Sequence, residues 1–124
     1  MIRALRHLSE WLRNRQHERE LDALAAAIRA DREARQLEWL RQADAHRIEA
    51  RRLFAEAQAV ECFAERHSLY CQALAAECRG EACHALAGGD AESAAQHTME
   101  AAGYDLRAGA PMPVPTQPAE AAHA

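Results

Sequence analysis

No glycine or proline occurs anywhere in residues 1–79, and this absence restricts the chain more than any other feature. These two residues are the usual interrupters of helices, and what replaces them is Ala, Arg, Glu, Leu and Gln, all good helix formers. Strand formers are scarce: two Val, three Ile and two Thr cannot furnish a sheet. The expected fold class is all-α. A single helix of 79 residues would run about 118 Å at 1.5 Å per residue, so the stretch is expected to fold back on itself. Asn14 is the expected place for a first break. A second is expected between Gln42 and His46, where Asp44 offers a cap.

The 124 residues suffice for one small domain, but the core they can build is thin. Of the 49% hydrophobic residues, 31 are Ala, and only 26 are bulky apolar side chains. Such a composition suits narrow, closely packed helices and leaves little volume for an enclosed cleft. A helical spacing of four and three runs through Leu53, Ala57, Val60, Ala64, His67, Cys71, Leu74 and Cys78, a heptad seam over nearly four repeats. Small residues (Ala57, Ala64, Cys71, Cys78) alternate with mostly larger ones, which lets two backbones approach closely. A second stripe, Ala23, Ala27, Ala30, Ala34 and Leu37, has similar spacing. Together the stripes predict an antiparallel helical hairpin with a coiled-coil-like seam, with a second copy of the chain covering what remains.

Beyond this seam Gly80 is expected to end the long helix, with a short piece over Glu81–Ala87. Asp90 is a good N-cap for a last helix over about 91–102, ended by Gly103, with Tyr104 packed near Met99. All four prolines lie after Arg107, and that segment is expected to be a disordered Pro/Ala-rich tail. The expected organisation is an N-terminal helix over 1–14, a hairpin or bundle over 15–106 and the tail over 107–124.

Charge is unevenly spread. Residues 1–52 hold 12 Arg against 9 acids, a net of +3, and residues 53–124 hold 3 Arg against 10 acids, a net of −7. The whole chain is at −4 and contains no Lys. A basic surface for nucleic acid is therefore not expected, apart from a local face carrying Arg3, Arg6, Arg13, Arg15 and Arg19. No segment has the run of roughly 18 apolar residues of a membrane span, and Ala23–Ile28 is too short for a signal-peptide core. The expected compartment is the cytoplasm, where Cys62, Cys71, Cys78 and Cys83 stay reduced.

Three groups of residues invite a functional reading. Ile2, Leu5, Leu8, Trp11 and Leu12 share one helix face, opposite Arg3, Arg6, Glu10 and Arg13. This basic amphipathic pattern docks in a partner's groove or on a membrane surface; the alternative is that it packs on the chain's own bundle. Cys71, Cys78, Cys83 and His84 are zinc-type ligands, but their spacing matches no tight knuckle, and buried Cys at a seam serves equally as a small hydrophobe. Glu81-x-x-His84 resembles half a di-iron motif without the second copy that chemistry requires. His67, on the seam, offers a pH-sensitive position, though a seam histidine ordinarily pairs with an acid.

Catalytic signatures are missing. Without Lys there is no phosphate-binding loop lysine and no Schiff base, and no G-x-S-x-G or H-E-x-x-H occurs. The expectation is a non-catalytic helical protein–protein interaction module without cofactor, an adaptor, inhibitor or assembly factor that also associates with itself. Two other readings compete with it: a Cys/His metal-binding or thiol-redox protein, and a nucleic-acid-binding helical hairpin dimer.

Overall fold

A computed structural model describes residues 1–110. The described residues form three helices, α1 (Ile2–Ala59), α2 (Phe63–Ala87) and α3 (Ala91–Gly109), and no strand occurs among them. It divides into two compact units, the first over Met1–Glu38 and the second beginning at Trp39. The disordered tail expected over 107–124 lies outside the described residues from 111 onward, and residues 107–109 belong to α3.

α1 passes through both expected breaks without interruption. Asn14 stays helical, so residues 1–14 are not a separate helix. Asp44 lies mid-helix and caps nothing. Neither residue forces a break: their helix penalties are well below 1 kcal/mol each, and good helix formers surround them. Pairs spaced for helix neighbours line the surface: Arg35 with Asp31 at 3.1 Å, and Arg52 with both Glu49 and Glu56. These pairs are exposed and each adds only tenths of a kcal/mol.

The turn falls at residues 60–62, where the sequence has neither Gly nor Pro. Cys62 is extended, with φ −66° and ψ 121°. The Arg66 guanidinium folds back and donates from Nε (3.1 Å) and Nη2 (2.7 Å) to the Val60 carbonyl, satisfying an acceptor left open by the end of α1. The periodic run Leu53–Cys78 is therefore divided. Leu53 and Ala57 lie on α1, Val60 in the turn, and Ala64, His67, Cys71, Leu74 and Cys78 on α2.

The hairpin forms as expected but through different residues of α1. The stripe Ala23, Ala27, Ala30, Ala34, Leu37 is exposed throughout. The buried α1 positions are Ala43, Ala50 and Ala57, seven apart, with Leu53. Ala50 and Leu53 form a core cluster with Ala73 and Ala76 of α2, flanked by Phe54 and Leu69. Phe54 and Tyr70 meet with ring centroids 5.9 Å apart, tilted by 53°. Among the described residues, every buried hydrophobic residue apart from Leu53 is Ala or Cys.

Gly80 does not stop α2, which continues to Ala87. It is buried against α1, and a Cβ there would lie 3.3 Å from the Ala43 carbonyl oxygen and 3.5 Å from the His46 Cβ. Its role is close backbone approach. That packing outweighs the cost of about 1 kcal/mol of a glycine inside a helix.

α2 ends at Ala87 with Gly88 as its C-cap, and Gly89 turns the chain with φ +78°, a conformation suited to glycine. Asp90 then caps α3, accepting a hydrogen bond from the Ser93 amide at 3.0 Å, with Glu92 in the first turn. α3 does not end at Gly103 but runs on to Gly109, and Met99 is exposed, so no cap contact with Tyr104 forms at that point. Contacts with α2 hold the extension: Arg79 pairs with Asp105 at 2.8 Å, and the Ser68 hydroxyl donates to the Ala108 carbonyl at 2.8 Å. α3 lies antiparallel on α2 through Ala94 and Ala101, again seven apart and buried.

Candidate interaction surface

The face expected to bind a partner is bare. Ile2, Leu5, Leu8, Trp11 and Leu12 are all more than half exposed, and no residue of Met1–Glu38 is buried. The Arg15 guanidinium stacks 5.3 Å from the Trp11 ring centre, which shields part of the indole and keeps a positive charge beside the apolar face.

A second apolar block, not among the expected site residues, lies further along α1. Leu21, Leu24 and Ile28 are each exposed by 51–57%, and Leu37 is exposed as well. The signal was present, since 21, 24 and 28 keep the same three-then-four spacing as 5, 8 and 12. Each member of the second block follows its counterpart by 16 residues, a rotation of about 160° at 100° per residue, so the two blocks lie on nearly opposite sides of α1.

The seam residues have a structural role inside the second unit. Leu53, Ala57, Cys71 and Cys78 are buried, Val60, His67 and Leu74 are half-buried, and Ala64 is exposed. The His67 Nε2 lies 3.7 Å from the Cys71 sulfur. The pairing partner of His67 is thus a thiol, where an acid was expected.

The proposed ligand set does not assemble. Cys71 faces His67, and Cys78 instead faces the Glu100 carboxylate of α3 at 3.8 Å. Cys83 is buried and His84 exposed. Among the described residues no group of three or more His, Cys, Asp or Glu side chains is arranged to hold a metal ion. Burial raises the Cys78 thiol above its ordinary range, reinforced by Glu100, Glu81 and Glu77; burial alone raises Cys83. Both surroundings disfavour the reactive thiolate.

His97 of α3 lies near two carboxylates, its Nδ1 3.1 Å from Glu81 and 3.7 Å from Glu100. That nitrogen is buried and makes no well-formed hydrogen bond. Spacing along the chain could not reveal this convergence, because Glu81 and His97 are on different helices. An open groove of about 540 Å³ is lined by residues including His46, Glu49, Leu53, Ala76, Arg79 and Asp105, and does not include His97. Of its charged lining residues, Arg79 and Asp105 pair with each other and Glu49 pairs with Arg52.

Among the described residues, no helix is long and apolar enough to cross a membrane. No protein family model, curated protein or solved structure matches the chain.

Proposed function

We propose that the protein is a non-catalytic helical interaction module. Its working surface is the first unit, and the second is a small bundle that packs for its own stability. The observation that carries this reading is the contrast in burial. Seven bulky aliphatic residues between Ile2 and Ile28, together with Trp11, stand on a helix that buries none of them. Exposed apolar residues arranged in helical blocks are the pattern by which an amphipathic helix enters a partner's groove. The four Arg among the first 15 residues, against one Glu, favour an acidic rim on that partner. An adaptor, inhibitor or assembly factor working in the cytoplasm fits these features. No cofactor enters the reading.

The test is affinity capture with the wild-type chain and with a variant carrying both Leu8→Glu and Leu24→Glu as baits. Each captured protein is then purified and titrated. A partner that binds the wild type saturably and loses at least about tenfold affinity for the variant supports the reading, since a buried leucine side chain contributes about 1.5–3 kcal/mol. Partners retained equally by both baits would refute it. Flotation of the wild type with anionic vesicles, in the absence of any such protein partner, would assign the face to a lipid surface instead.

A further inference from the structure

Resting on the reading of residues 1–38 as an interaction surface, we propose that its two apolar blocks recognise each other between copies, so that the chain self-associates head to tail in an open series. Three observations converge on this occupant.

The first is register. Met1, Leu5, Leu8 and Leu12 are spaced by four, three and four. Read backwards, Ile28, Leu24, Leu21 and His17 have the same spacing. Two antiparallel copies therefore bring Met1 to Ile28, Leu5 to Leu24, Leu8 to Leu21 and Leu12 to His17, four successive layers of a short helix–helix contact. Every one of these residues is exposed.

The second is charge. Residues 1–15 hold four Arg against one Glu, a net of +3, while residues 16–28 hold one Arg against two Glu and one Asp, a net of −2. Antiparallel contact sets the basic block of one copy beside the acidic block of the next. A parallel contact in register would oppose like with like.

The third is direction. The blocks lie about 160° apart around α1. A closed two-fold dimer of straight helices would need both on the same side. With the blocks on opposite sides, a copy that offers block one to its right offers block two to its left. Each contact is heterologous and leaves a free block at either end, so the association continues instead of closing. A contact of four layers is smaller than a standard stable interface, which places association between about 10 µM and 1 mM.

Sedimentation equilibrium of the full chain across that range tests the proposal. The expected wild-type result is an average mass that climbs past two chains without a plateau and falls when salt is raised. Leu8→Glu removes block one and Leu24→Glu removes block two, and each variant alone should remain monomeric. Mixed in equal amounts, they should form one complex of two chains and no larger species, because each supplies the block the other lacks. Circular dichroism confirms that both remain helical, as glutamate is nearly as good a helix former as leucine. A monomeric wild type, a wild type that stops at a dimer, association of either variant alone, or an inert mixture would each overturn the proposal. A monomeric wild type would leave the partner reading to its own capture experiment, whereas equal capture by both baits would remove that reading whatever the sedimentation shows.

Discussion

The two units use nearly the same alphabet to opposite ends. In Met1–Glu38 the leucines are outside and the alanines bare, while from Trp39 onward alanines form the core. The difference is not one of hydrophobicity. Ala23, Ala27, Ala30 and Ala34 are exposed while Ala43, Ala50 and Ala57 are buried, although both sets are alanines at a regular helical spacing; the latter have a second helix against them. Burial in this protein follows the availability of a neighbour. The turn at residues 60–62 supplies that neighbour to the later part of α1.

The largest expected contrast is in amide hydrogen exchange. Amides of α1 within 43–57 should open with free energies close to that of global unfolding. Those within 5–35 should exchange through local fraying, a difference on the order of 5 kcal/mol. Equal protection in a dilute monomer would erase the distinction between the units. Next in size is a pair of identical substitutions. Ala73→Leu enters a site with 0% exposure and should cost about 1–3 kcal/mol by overpacking in a denaturant titration. Ala27→Leu, on the bare helix, should stay within about 0.5 kcal/mol. A smaller effect is expected at Asp90→Ala, which removes the bond to the Ser93 amide and should lower stability by about 1 kcal/mol.

The smallest effect has the opposite sign. A Cβ at Gly103 meets nothing within 4 Å, so Gly103→Ala should raise stability by about 0.5–1 kcal/mol, readable as a small increase in melting temperature. The same change at Gly80 meets the Ala43 carbonyl at 3.3 Å and should forfeit that gain. Comparing the two variants separates a glycine required by packing from one that is not.

Much of the architecture was readable along the chain. The lack of Gly and Pro before residue 80 and the near absence of β-formers lead directly to helices. Asp90 after two glycines leads directly to a capped last helix. The amphipathic spacing of the N-terminus is legible in the residues, whereas the exposure of its apolar side is not. The turn at 60–62 was not readable, because nothing in Val60-Glu61-Cys62 announces it. It is stabilised by Arg66 reaching back to the Val60 carbonyl and by packing of the helices on either side. Gly80 and Gly103 misled for a related reason: a glycine costs a helix about 1 kcal/mol, less than the interhelical contacts around it return.

Local preference was enough to establish that this chain would be helical, narrow and poor in bulky core residues, because helix propensity and side-chain volume are properties of each residue alone. Which alanines would be covered, where the chain would reverse, and that Cys78 would meet a carboxylate and not another ligand depended on the pairing of distant segments. Periodicity shows that a face exists; what lies against it follows from where the chain turns back.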